Sequence, residues 1–293
     1  MGLRVALAVH PDSGKGAAAR VAGTVAARLR GATDRLDLLA ANTVEESHAL
    51  MREAHGAGLD ALVVLGGDGA AHQAVQFCAG TDIALGVIPS GTGNDLARAL
   101  GMPTNPLAAV DAVAAALLAG RTRKMDLGRL GDTWFSTVLC AGFDASVNAR
   151  ANRMRWPSGP RRYDLAVVAE LASFRTRRLT VTTDTDRLDL EATLVAVGNT
   201  GWYGGGIPIC PSARADDGLF DLTVVGRASR GQLIRMLPTL RTGKHLNHPA
   251  VRTLRARQVT LSGNDWPAYA DGEPLGTLPV TVTCVPEALT VLG

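Results

Sequence analysis

The stretch that most restricts the fold is an apolar run that stops at a cluster of glycines: Ala61-Leu62-Val63-Val64-Leu65-Gly66-Gly67-Asp68-Gly69-Ala70. A β-branched run bounded by glycines predicts a strand buried on both faces, as in a parallel sheet. The next residues, Ala71-His72-Gln73-Ala74-Val75, read as a helix start. Strand, glycine turn and helix together aim backbone N–H groups outward, where an anion binds. Glycine serves there because a Cβ blocks close approach and disfavours positive φ. Asp68 would repel a bare phosphate, but a carboxylate beside a phosphate is accommodated when Mg²⁺ lies between them. From the residues alone two readings stay open: a Mg-nucleotide site, or a tight βα turn whose aspartate caps a helix.

The same pattern recurs on either side. Leu3 to Val9 reads as a strand running into His10-Pro11-Asp12-Ser13-Gly14-Lys15-Gly16, and Ala17 to Arg30 as a helix with Val21, Val25 and Leu29 on one face. Leu36 to Leu39 is the second strand, and Thr43 with Glu46 forms a capping box for the helix after it. Ala84 to Ile88 is the fourth strand; it leads into Pro89-Ser90-Gly91-Thr92-Gly93-Asn94-Asp95 and a short helix from Leu96 to Leu100. This β-α alternation predicts an α/β domain with a mainly parallel, three-layer sheet. In such sheets ligands bind at the carboxyl ends of strands, and three glycine-bearing loops converge there. Residue by residue the alternatives remain. Ser13, Gly14 and Gly16 can make a plain turn, Thr92 can be a turn hydroxyl, and Asn94 and Asp95 are natural helix caps. Asp68 and Asp95 on neighbouring loops would place two acids near one phosphate, which calls for a metal or a shared proton. No GxxxxGK[ST] loop occurs, and no GxGxxG opens the first helix.

Beyond the short basic link Arg121-Thr122-Arg123-Lys124 the periodicity changes to two. Strands are expected at Thr133–Leu139, Leu179–Thr183, Leu188–Val197, Leu219–Val225, Val259–Ser262 and Val280–Val285, a β-rich, antiparallel, sandwich-like half. Helices are expected at Tyr163–Phe174 and Arg230–Arg241. Three segments here could carry chemistry. One is the glycine-rich loop Gly198–Gly206. The second is Arg214-Ala215-Asp216-Asp217-Gly218-Leu219, where Asp217 and nearby carbonyls suit a hard cation or the turn is a plain hairpin. The third is Tyr269-Ala270-Asp271-Gly272-Glu273, with two acids two apart or again a turn. Arg150, Arg153, Arg155, Arg161 and Arg162 surround Trp156; they fit an anionic membrane surface or a solvated charged face.

Composition narrows the classes. The 293 residues suit one large domain or two ordinary ones, with 46% hydrophobic and 19% charged residues. Aromatic content of 4% is too low for a base-stacking platform, so no nucleic-acid partner is expected. Cys78, Cys140, Cys210 and Cys284 show no framework spacing, and reduced thiols are expected. The chain enters a strand at once, so no signal peptide is expected. The longest apolar helix, Leu107 to Ala119, falls short of the ~20 residues that span a bilayer.

Taken in order, these motifs resemble the diacylglycerol kinase catalytic-domain superfamily, and within it the soluble bacterial lipid kinases related to diacylglycerol, sphingosine and ceramide kinases. His10–Gly16 is similar to its NPxSGxG loop, Gly66–Ala70 to GGDGT and Pro89–Asp95 to PxGTGND. Gly142-Phe143-Asp144, Tyr203–Gly206, Asp217-Gly218 and Asp271-Gly272-Glu273 follow in family order. The resemblance implies an ATP-binding domain over 1–123, with 286–293 returning to it, a lipid-substrate domain over 124–285, and an active site in the interdomain cleft. It implies ATP- and Mg-dependent phosphorylation of a lipid hydroxyl, foremost diacylglycerol to phosphatidic acid. It assigns ATP contacts to His10, Pro11, Asp12, Ser13, Gly14, Thr43, Gly66, Gly67, Asp68, Gly69, Ala70, Ala71, His72 and Thr92. Glu273 becomes the general base, Asp68, Asp95 and Asp271 organise catalytic Mg²⁺, and Asp217 with the carbonyls of Arg214 and Leu219 holds a structural Mg²⁺. Ala70 and His10 depart from the family's threonine and asparagine. The implied setting is cytoplasmic, with visits to the inner membrane face for the lipid; a homodimer is one oligomeric state left open. A sphingoid or other lipid acceptor, an NAD kinase- or phosphofructokinase-like activity, and a catalytically silent binding protein are the alternatives.

Overall fold

The computed structural model describes residues 2–10, 16–41, 44–143, 145–147, 150, 169 and 176–293, with every side chain among them except those at 40, 44, 45 and 48. The chain folds as two compact units, one of Met1–Leu127, Thr133–Ser136 and Val285–Gly293, the other of Gly128–Asp132 and Thr137–Cys284.

The first unit is built on parallel strands β1 (Arg4–Val9), β2 (Arg35–Ala40), β3 (Ala61–Gly66) and β4 (Ala84–Pro89). They run in the order β2-β1-β3-β4, and the end of β15 (Val280–Leu292) joins β4 in parallel through Thr290 and Val291. Every residue of β3 and β4 is buried, as the unbroken apolar runs predict. Helices α1 (Ala17–Arg30) and α5 (Pro106–Leu118) share one core with alternate residues of the sheet: Val25 and Leu29 meet Val5, Leu7, Val63, Leu65 and Val113. Right-handed crossovers put α2 (Val44–Gly56) and α3 (Asp68–Cys78) on the other face. Asn105 starts α5, its side chain accepting the Leu107 and Ala108 N–H groups ahead of Pro106 at the first position. The chain leaves β1 toward β2 on one side and returns to β3 on the other. Loops after β1 and β3 therefore diverge, which opens a crevice at the carboxyl edge.

The second unit is antiparallel throughout its described pairings. Strand β9 (Arg187–Gly198) is the hub: its first half pairs with β8 (Arg177–Thr183), its second half with β7 (Val138–Gly142) and β10 (Phe220–Gly226). Strand β10 carries β11 (Val251–Ala256), β8 carries β12 (Gln258–Ser262), and β7 carries β13 (Pro267–Ala270) with β14 (Glu273–Thr277). Helix α6 (Arg230–Leu240) buries Leu233 and Met236 on this unit, Met236 against Phe143, Leu194 and Val225. None of the four cysteines forms a disulfide and all are buried; burial pushes the Cys78 and Cys210 thiols up to about 12.

Several expectations are corrected. Thr133–Leu139 is not one strand: β6 (Thr133–Phe135) and β7 are separated at Ser136-Thr137. Thr137 spends its backbone on other partners, its carbonyl accepting the Asn199 and Thr200 N–H groups, so the ladder breaks there. All of the basic link but Arg121 lies inside β5 (Thr122–Leu130). Val280–Val285 is the first part of one strand that runs on to Leu292 and turns sharply at Glu287, where φ is 54°. Strands β11, β13 and β14 go unpredicted by periodicity. The outer side chains of β11 are exposed and β14 carries Pro274 and Gly276, so neither shows an apolar alternation. The expected helix Tyr163–Phe174 and most of the arginine cluster around Trp156 lie outside the described residues.

Candidate active site

In the first unit the loops after β3 and β4 are one contact surface. Their closeness explains the glycines. A Cβ on Gly91 would lie 2.6 Å from the Cα of Gly67, and one on Gly93 would lie 2.2 Å from Asp68 Oδ2. A Cβ on Gly66 would lie 2.3 Å from the Ala70 methyl, which is itself buried. The Ser90 N–H donates to the Gly66 carbonyl at 2.8 Å, so the two strands stay in register into the loops.

Asp68 joins the loops chemically. It is the first residue of α3, preceded by Gly67 in extended conformation, and no side chain caps that helix. Its carboxylate reaches across instead: Oδ2 accepts the Asn94 N–H at 2.8 Å and Oδ1 the Asp95 N–H at 2.7 Å. Asp68 thus caps the neighbouring helix α4 (Asp95–Ala99), not its own. Asn94, in the left-handed region at φ 55°, folds its side chain back, accepting from Gly91 N–H at 3.0 Å and donating to Gly91 O at 2.8 Å. It occupies the N-cap position without a side-chain cap bond, a correction to its reading as a simple cap. Asp95 is buried, whereas Thr92 and Gly69 are exposed. Ala71 and His72 are buried on α3. His10 follows β1, its N–H donating to Leu65 O at 3.3 Å; burial lowers its pKa, and its buried Nδ1 has no hydrogen-bond partner. Pro11, Asp12, Ser13, Gly14 and Thr43 lie outside the described residues.

In the second unit Asp271 and Gly272 form the two-residue turn between β13 and β14. Both have positive φ, 52° and 86°, the backbone that a tight hairpin requires. The turn separates the two acids. Asp271 Oδ1 accepts from Thr137 twice, from N–H at 2.8 Å and from Oγ1–H at 2.6 Å. Glu273 is exposed at the start of β14, and no hydrogen bond or ion pair to another described residue holds its carboxylate. Thr137 is the residue that sequence reasoning missed. Its signal was a polar pair, Ser136-Thr137, inside an apolar run. Through the Thr137 carbonyl the same point receives the start of the glycine-rich loop, which closes as a short turn with Tyr203 and Ile207 exchanging backbone hydrogen bonds.

Arg214, Asp217 and Leu219 make a turn ahead of β10. Asp217 Oδ1 accepts the Leu219 N–H at 3.2 Å, and Oδ2 is held by the Arg255 guanidinium, whose Nε also lies 3.3 Å from Asp221 Oδ2. The Arg214 side chain pairs with Asp216 at 3.1 Å. A carboxylate already neutralised by a guanidinium does not, as it stands, fit a divalent cation. Partial desolvation raises the Asp221 carboxyl above its ordinary value, Asp217 adding to this and Arg255 opposing it. The acids of the first unit fit a metal better. Mg²⁺ takes one or two carboxylates and fills its remaining positions with phosphate oxygens and water. Asp68 and Asp95 offer that sparse donor set, and among the described residues no cluster of three or more His, Cys, Asp or Glu side chains forms a closed metal cage. No helix among the described residues is long and apolar enough to cross a membrane.

The chain is similar to known proteins along its length. The diacylglycerol kinase catalytic domain matches residues 4–130, and the YegS C-terminal NAD kinase beta sandwich-like domain matches residues 137–293. A diacylglycerol kinase of Mycobacterium tuberculosis is 43% identical over 297 residues, spanning 99% of this chain and 94% of the relative. The crystal structure of a diacylglycerol kinase from Bacillus anthracis superposes with a TM-score of 0.79 at 24% identity, covering 99% of this chain and 97% of that one. An NAD kinase from Archaeoglobus fulgidus in complex with ATP superposes with a TM-score of 0.55 at 12% identity, covering 99% and 94%. Both superpositions are likenesses of fold.

Proposed function

Since this chain belongs to the diacylglycerol kinase family and is a lipid kinase that uses ATP, we propose that its acceptor is diacylglycerol and its product phosphatidic acid. The observation that carries the assignment of parts is the Asp68 bridge, which fixes two glycine loops and two acids at one strand edge.

In this reading the first unit binds the nucleotide. Gly66–His72, the loop from His10 to Gly14, Thr43 and Thr92 would bind ATP, and the uncapped start of α3 favours its phosphates. Asp68, Asp95 and Asp271 would organise Mg²⁺, partly through water. Bound there, Mg²⁺ would neutralise charge on the phosphate oxygens. Glu273, exposed and unencumbered, is the general base of the proposal: it takes the proton as the acceptor oxygen bonds to the γ-phosphorus. The bond from that phosphorus to the β–γ bridging oxygen breaks, and ADP leaves. Phosphoryl transfer demands mainly positioning and charge neutralisation, which glycine amides and fixed carboxylates suit. Thr137 holds Asp271 for this step and touches neither substrate.

The test is transfer of labelled γ-phosphate from ATP to diacylglycerol, sphingosine, ceramide and, as a soluble control, NAD. Diacylglycerol should be the preferred acceptor, and Glu273→Gln should lower turnover by about 10²–10⁴-fold. Preference for NAD or a sphingoid base would overturn the acceptor assignment. Unchanged turnover in Glu273→Gln would remove that residue from the role of base.

A further inference from the structure

One surface of the second unit is set apart by charge. From Leu222 to Asn264 the sequence has eight Lys and Arg residues and neither Asp nor Glu, although the whole chain is nearly balanced at 30 to 27; of the eight, Arg227 pairs with Glu191 and Arg255 with Asp217 and Asp221, outside the stretch. Helix α6 lies in this stretch. Its inner stripe, Leu233 and Met236, is buried. On the outer face Arg230, Ile234, Pro238 and Arg241 follow one another at helical spacing, with Arg235 on the flank, and all five are exposed. Ile234 is 55% exposed, one of three large hydrophobic side chains so open among the described residues. A Cβ added at Gly231, beside them, would meet nothing within 4 Å, so the face is open. No described carboxylate pairs with Arg230, Arg235 or Arg241. Even the cap is neutral. Ser229 and Gln232 form a complete capping box with glutamine where glutamate serves equally well, and the first turn holds no acid.

An apolar side chain framed by unpaired arginines is the arrangement that settles at a lipid headgroup boundary. From it we infer that the outer face of α6 docks the enzyme on an anionic bilayer. The inference rests on the reading of the acceptor as a bilayer-resident lipid. Arg230, Arg235, Arg241 and Lys244 meet headgroup phosphates, and Ile234 with Pro238 enters the boundary. The reaction converts a neutral lipid into an anionic phosphomonoester, so the product strengthens the surface that holds the enzyme.

The experiment is co-sedimentation of the full chain with phosphatidylcholine vesicles, with and without phosphatidic acid, at low and high salt. Wild type should bind the anionic vesicles and release them at high salt. Replacing Arg230, Arg235 and Arg241 together by Gln should weaken binding about 100-fold, near fivefold per charge at ~1 kcal/mol each. Ile234→Ser should weaken it severalfold at both salt concentrations. Neither variant should alter phosphorylation of a dispersed short-chain diacylglycerol, which also shows that both are folded. Equal vesicle binding by wild type and the triple variant overturns the inference. So does wild-type binding that ignores anionic lipid, or capture of duplex nucleic acid without capture of vesicles. Sedimentation needs no turnover, so a failure of the acceptor assignment in the lipid panel is read separately from a failure of this surface.

Discussion

In the first unit Asp68 reaches out of its own βα loop to take the N–H groups of Asn94 and Asp95, while in the second unit Asp271 sits in a two-residue hairpin turn and is gripped by Thr137. Both carboxylates are fixed by backbone donors, but the two devices differ in what they require. The Asp68 bridge works because Gly91 and Gly93 let the loops touch. The Asp271 grip works because a strand is interrupted at Ser136-Thr137, freeing a threonine to donate twice to one oxygen. Fixing an acid by absence of side chains leaves a glycine signature. Fixing it by a broken strand leaves almost none.

Breaking the first device should have the largest effect. Asp68→Asn keeps the shape, presents an NH₂ to one of the two amides and removes the charge. Steady-state kinetics should show turnover reduced by about 10²–10³-fold, the scale of losing a preorganised electrostatic group. Activity close to wild type at saturating Mg²⁺ would mean that Asp68 serves only as a loop tie.

The second device should fail more gently, because the Thr137 N–H remains. Thr137→Val removes the hydroxyl donor, worth about 1 kcal/mol, and should lower turnover about fivefold with Km for ATP unchanged. Thr137→Ser should restore it. A loss of melting temperature without any change in turnover would make Thr137 structural alone.

Outside the two grips, Arg255 sharpens the contrast, since there a cation instead of amides fixes an aspartate. Arg255→Leu leaves Asp217 and Asp221 facing each other and should lower the melting temperature by about 2–4 °C. Millimolar Mg²⁺ should restore much of this through Asp217, while any Mg²⁺ response of wild type should persist in Asp217→Asn. A wild-type rise with Mg²⁺ that Asp217→Asn abolishes would place a metal at the turn despite the guanidinium.

The smallest effect concerns pH. His245 is buried, its Nε2 lies 3.1 Å from Ile209 O, and burial lowers its pKa below 6.5. Below pH ~6.5 the unfolded chain therefore binds more protons than the folded one, so stability falls as pH drops through that range toward the folded-state value. The half-buried ring of His10 acts in the same direction. Melting curves between about pH 7.5 and 5.5 should show the fall, and His245→Gln should flatten part of it. An identical slope in the variant would exclude His245 as a contributor.

The sequence by itself determined the first unit's sheet, its helices and the edge where its loops meet. Apolar runs such as Ala61–Leu65 and the glycines at 66, 67, 91 and 93 are local signals, because burial on both faces and freedom from a Cβ are properties of the residues themselves. Asp271 and Glu273 were also legible, though only as members of an ordered set of motifs. The tertiary structure alone decided which amides each carboxylate takes, that Asp68 caps a helix it does not belong to, and that Thr137 breaks its strand to hold Asp271. It also decided that Arg255 lies on Asp217. Each is a contact between segments far apart in the chain, 26 residues for Asp68 and Asn94 and 134 for Thr137 and Asp271. Periodicity and turn chemistry reach only a few residues along the backbone, so partners at that separation are chosen by packing.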